Sequence, residues 1–208
     1  GINTLFLLDA GLSNLEAFAA NAFFTGGMML FEIPTGIVAD TWGRRISYLL
    51  GTLTLAGSTL LYYLLWVVEA SFWEWALVSM LLGLGFTFSS GAVEAWLVDA
   101  LHFAGYDGGL ETVLGRGQMI GGIAMLGGSV AGGVIAQATS LGVPFLLLPA
   151  VLGAMFVVAW LLMHDLGFRP ETRRGPIEGT RRVLSASITH GLGNPPVRWM
   201  MLAAPFTY

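Results

Sequence analysis

An all-α membrane protein, built as a transmembrane helix bundle, is the fold class this sequence predicts, and three observations predict it. Of the 208 residues, 55% are hydrophobic and 11% are charged, against about 25% charged in ordinary soluble domains. Uncharged stretches of membrane length recur: residues 46–68 and 117–164 contain no Asp, Glu, Lys or Arg. The basic residues occupy alternate connections between such stretches, the pattern expected when one membrane face carries the positive charge. Helices are favoured over barrel strands because the apolar runs are continuous and far exceed about 10 residues.

Taken in order, residues 1–8 read as the outer end of a helix that starts upstream. Residues 17–39 form a span interrupted only by Glu32, residues 46–68 a second, and residues 75–101 a third that carries Glu94 and Asp99. The run 117–164 is twice what a hydrocarbon core of about 30 Å requires, so it holds two helices. These are placed at 114–139 and 144–163, with Ser140-Leu141-Gly142-Val143-Pro144 supplying the turn between them. The apolar residues 197–208 are too few to cross and read as the start of a further helix. The expected organisation is a bundle over 1–164, a linker over 165–196 and that helix start.

Sidedness follows from charge. Arg44 and Arg45 lie in one connection, Arg116 two connections later, and Arg169, Arg173, Arg174, Arg181, Arg182 and Arg198 two later again. The opposite connections hold Asp9, Glu16, Glu69 and Glu74 and no basic residue. The arginine face is therefore expected to be cytoplasmic, in a multi-pass protein of the cell inner (plasma) membrane. Within the linker, Val183, Leu184, Ile188 and Leu192 fall on one side of a helix, which suits an amphipathic segment at the membrane surface.

Composition removes several function classes. All nine basic residues are arginine and the net charge is −4, so no nucleic-acid partner is expected. The 29 glycines suggest close helix packing. Without cysteine there is no disulfide framework, zinc ribbon or iron–sulfur site, and His102, His164 and His190 are too dispersed for a metal centre. No cofactor is expected: Gly115-x-Gly117-x-x-x-Gly121 lies inside a helix with no strand before it, unlike a dinucleotide loop. Enzymatic chemistry is disfavoured too, since Ser89-Ser90-Gly91 has neither a G-x-S-x-G setting nor a paired histidine. A polytopic protein that only binds or assembles is the remaining different class.

Between the second and third helices the chain reads Gly36-Ile-Val-Ala-Asp40-Thr-Trp-Gly43-Arg44-Arg45, preceded by Phe31-Glu32-Ile33-Pro34-Thr35. Gly36 permits close helix approach, Asp40 ends the helix with a negative charge, Gly43 allows a tight turn, and Arg44 and Arg45 stay among the headgroups. This segment closely resembles the loop signature G-x-x-x-D-x-x-G-R-R/K of the major facilitator superfamily, at the topological place where that family carries it. The resemblance implies the amino-terminal six-helix half of a twelve-helix transporter, cut within helix one and helix seven. It implies alternating access around a small-molecule substrate held near the midplane between halves. Its partners would be that substrate, protons, the lipid bilayer and the carboxy-terminal half. Drug:proton antiporters of the family suggest efflux of small organic or drug-like solutes, and proton-coupled uptake is the alternative. By the same resemblance, Asp40, Arg44 and Asp99 form a cytoplasmic charge cluster that closes the outward-facing state, with Asp99 expected to pair with Arg44.

Ionisable groups inside a membrane cost a few kcal/mol or more, so Glu32, Glu94 and Asp99 each call for a partner, a cavity or a function. Gly83, Thr87, Ser90 and Glu94 recur on one face of the fourth helix and are expected to line a polar cavity. Asp99 is turned about 140° from that face. Glu94 is the candidate proton carrier, because a carboxyl desolvated in a cavity can load and release protons near neutral pH. Glu32 comes second, with a structural hydrogen bond beside Pro34 as its expected role. Gly117, Gly121, Gly128 and Gly132 share a broad face of the fifth helix and read as a packing seam or a hinge.

Overall fold

The computed structural model describes residues 2–168. The linker beyond 168, with its amphipathic face and arginines, and the helix start at 197–208 lie outside the described residues. Six helices follow one another: α1 (Ile2–Asp9), α2 (Asn14–Trp42), α3 (Arg44–Val67), α4 (Phe72–Phe103), α5 (Leu110–Ala138) and α6 (Val143–Leu162). The last five are long and apolar enough to cross a membrane. They sit where the uncharged runs place them, and the differences are at the ends. Helix α2 continues past Asp40 to Trp42, so Asp40 does not end it. With 32 residues, α4 is about 48 Å long, more than a hydrocarbon core of about 30 Å requires. Arg116 lies in the second turn of α5, not in the connection before it.

Local sequence explains the starts. At α2, Ser13 Oγ accepts the Glu16 N–H at 3.3 Å and the Glu16 carboxylate accepts the Ser13 N–H at 2.8 Å, a reciprocal cap. The Glu74 carboxylate likewise accepts the Ser71 N–H at 2.7 Å where α4 begins. Gly43 separates α2 from α3 with φ +108°, a conformation that side-chain-bearing residues rarely adopt. Pro144 occupies the first turn of α6, where its missing N–H costs nothing.

Helix α4 is the centre of the packing, lying against α2 on one side and α3 on another, while α3 also packs on α6. These crossings are tight because glycines make them. A Cβ on Gly83 would come 2.5 Å from the Phe24 carbonyl oxygen, and one on Gly27 would come 2.8 Å from that of Met80. Gly85 does the same for α3, where a Cβ would be 2.8 Å from Leu55 Cγ. The close packing suggested by composition thus falls on α2–α4 and α3–α4. Helix α5 has no buried residue, and a Cβ on Gly117, Gly121 or Gly128 would meet open space among the described residues. Gly36 also faces open space, so the close approach expected there is not made.

An apolar core of the described residues lies towards the end that carries the acidic connections. Phe6 stacks on Phe145 with ring centroids 3.9 Å apart, and Tyr62 meets Trp75 edge-on at 5.1 Å. Tyr62 Oη donates to Ser79 Oγ at 2.7 Å, and Ser79 in turn donates to the Trp75 carbonyl. At that same end the Trp66 indole N–H donates to Asp9 at 3.0 Å, and Asp9, Glu16 and Glu69 line a cleft of about 960 Å³. Elsewhere large apolar side chains such as Leu53, Met125, Val151 and Leu161 point outward. That surface is what lipid tails solvate as well as a neighbouring side chain would.

Candidate functional site

The turn between α2 and α3 gathers three charges from three helices. Arg44 Nη1 donates to Asp40 Oδ1 at 2.6 Å, an i,i+4 contact across the turn. Arg44 Nε lies 3.7 Å from Asp99 Oδ2 on α4. Side-chain exposure falls from 46% at Asp40 to 33% at Asp99 and 22% at Arg44, so the cation is the most enclosed of the three. An arginine fork between two carboxylates suits a contact that can be made and broken, since neither acid is fully desolvated. Gly36, one turn before Asp40, takes no part.

A third acid, which the motif does not contain, completes this end. The Arg45 backbone N–H donates to Asp165 Oδ1 at 2.9 Å, joining residues 120 positions apart. The Arg45 guanidinium donates to the Trp160 carbonyl at the end of α6. The Trp96 indole N–H donates to the His164 carbonyl at 2.7 Å, which ties the same segment to α4. Asp165 was assigned to the linker on sequence. The signal that could have found it is the bare start of α3, with a glycine N-cap, two arginines and no acid in its first turn.

A second place of interest is the cleft between α4 and α5. Ser90 and Glu94 line it with Gln118, Phe86 and Leu55 of α3, and its volume is about 350 Å³. Both Ser90 and Glu94 are exposed, so among the described residues Glu94 is not in the desolvated setting that its sequence position suggests. Gln118 Nε2 donates to Glu94 Oε1 at 2.7 Å, spanning helices that otherwise hardly touch. The expected single polar face of α4 is divided. Gly83 is buried against α2, and Thr87 does not line the cleft, its hydroxyl donating instead to the Leu84 carbonyl at 2.9 Å. The reason is packing: α4 is pinned between α2 and α3, so only its later turns open towards α5. Most of the lining is apolar, with one carboxylate and its amide partner. Gln118, beside the glycine stripe, was not singled out from sequence. Glu32 is exposed on α2, and its carboxylate has no hydrogen-bond partner among the described residues; it is the backbone carbonyl of Glu32 that accepts, from Thr35. Gly128 and Gly132 line a separate groove of about 390 Å³ with Asn3 and residues of α6.

Five membrane-length helices and an outward apolar surface among the described residues define a multi-pass membrane protein. The model of the Major Facilitator Superfamily matches residues 2–208, and the chain belongs to this family of transporters. No curated protein and no solved structure matches it significantly.

Proposed function

We propose that the chain works as half of a secondary transporter that exports small organic or drug-like solutes in exchange for protons, by alternating access in the plasma membrane. The arginine end is cytoplasmic in this reading, and a second six-helix half of the same transporter covers the cavity face. The observation that carries it is Arg44 placed between Asp40 and Asp99: one cation joins the ends of α2, α3 and α4 by contacts weak enough to open in each cycle. Glu94 is the proton carrier. Among the described residues its carboxylate is the one ionisable group in a mostly apolar cleft, and Gln118 holds one of its oxygens. Protonation would release that charge without removing the hydrogen-bonding capacity of the pair. An electrical driving force of about 2.3 kcal/mol per proton per 100 mV is then available to the exchange.

The test is flux in proteoliposomes holding the full-length protein, with a trapped pH dye and ethidium as the drug-like probe. Ethidium movement should drive opposite proton movement, and Glu94→Gln should retain binding of ethidium while abolishing the proton signal. Proton-coupled exchange at full rate in Glu94→Gln would remove Glu94 from the mechanism, and ethidium flux without any proton signal would remove antiport.

A further inference from the structure

Helix α3 begins without a cap of its own. Its N-cap is Gly43, its first turn holds Arg44 and Arg45, and no acidic side chain lies within that turn. Two cations at the positive end of a helix dipole are unfavourable, and the first N–H groups have no intrahelical acceptor. Asp165 supplies what is missing. Its carboxylate sits over Gly43 closely enough that any Cβ there would overlap it, and it accepts the Arg45 N–H at 2.9 Å. The exchange is mutual, because the Arg45 guanidinium donates to the Trp160 carbonyl at the negative end of α6. Each helix end thus receives from the other the charge its dipole favours. The position of Asp165 is itself fixed from α4, through the Trp96 bond to His164 at 2.7 Å and through Gly167, where a Cβ would lie 2.9 Å from the Asp99 carbonyl oxygen.

We propose that Asp165 is a positioning residue of the arginine turn: by capping α3 from the end of α6, it holds Arg44 where both Asp40 and Asp99 reach it. The 3.7 Å between Arg44 Nε and Asp99 is already beyond a hydrogen bond, so a small drift of the first turn of α3 separates the pair. Gly43 then has two duties, to turn the chain at φ +108° and to leave room for the carboxylate. The consequence for transport rests on the proposed cytoplasmic gate: loss of the cap opens the arginine end more often.

The 208 residues contain no cysteine, so once any cysteine elsewhere in the full-length protein is replaced, a single Ser90→Cys in the α4–α5 cleft can report that opening. Inside-out vesicles would be treated with a membrane-impermeant sulfonated maleimide. Asp165→Ala should raise the labelling rate about five-fold, the population change that loss of a typical cap produces. Gly43→Ala, which displaces the same carboxylate and also strains the turn at φ +108°, should raise the rate in the same direction. Asp165→Asn keeps an oxygen acceptor for the Arg45 N–H and should stay within about two-fold of the parent. Unchanged labelling in Asp165→Ala overturns the proposal; if that variant does not reach the membrane, Asp165→Leu takes its place, and unchanged labelling there or in Gly43→Ala overturns it equally. Asp99→Asn separates the two readings. If it raises labelling while Asp165→Ala and Gly43→Ala do not, only the role of Asp165 falls; if all three are flat, the gate falls with it.

Discussion

Arg44 reaches Asp99 across 3.7 Å, and this is the contact that joins the start of α3 to the last turns of α4. The tighter bond to Asp40, at 2.6 Å, is local to the turn and follows from four-residue spacing. Of the two Arg44 contacts, only the one to Asp99 depends on how the helices pack, so it is the one that reports their relative position.

Asp99→Asn should therefore loosen the arginine end without unfolding the bundle. Both side chains are partly exposed, which limits the pair to about 1 kcal/mol or less. The expected result is a rise of up to about five-fold in maleimide labelling of Ser90→Cys, with thermal unfolding in detergent unchanged. A large fall in Tm would instead make Asp99 a structural residue.

Gly83→Val tests the α2–α4 crossing. The new side chain would start 2.5 Å from the Phe24 carbonyl oxygen, with backbone rather than a flexible side chain in its way. The helices must separate, at a cost of about 1–3 kcal/mol or more, seen as a lower Tm in detergent. An unchanged Tm would mean that α2 and α4 do not meet at this glycine.

Tyr62→Phe removes the bond to Ser79 at 2.7 Å but keeps the ring against Trp75. Ser79 still donates to the Trp75 carbonyl, so the loss should be about 1 kcal/mol. Tyr62→Ala, at a site only 2% exposed, should cost about 3–5 kcal/mol by opening a cavity. Detergent melts of the two variants distinguish them, and equal losses would assign all the stabilisation to the hydroxyl.

Much of this bundle is legible in the residue order because a membrane span needs only length and apolarity. The uncharged stretches 46–68 and 117–164 therefore locate α3, α5 and α6 closely, and the Gly142–Pro144 turn marks the division between the last two. Helix ends were less legible: α2 runs on beyond Asp40 because an aspartate is tolerated in a last turn when the next glycine makes the break. The glycine stripe of α5 reads as a packing seam or a hinge, while among the described residues the tight crossings lie at Gly27, Gly51, Gly83 and Gly85. Spacing along one helix says which residues share a face, but not which face meets a neighbour. For the same reason Thr87 and Glu94 share a side of α4 while only Glu94 lines the cleft.

Hydropathy and the order of charges alone establish a polytopic helical protein with an arginine-bearing end, and the turn signature carries its family, because these are local or one-dimensional properties of a chain in lipid. The crossing points, the bond from Gln118 to Glu94 and the cap that Asp165 places on α3 come from folding alone. The two bonds join residues from separate segments of the chain, 24 positions apart in one case and 120 in the other, and no pattern within a single segment encodes that meeting.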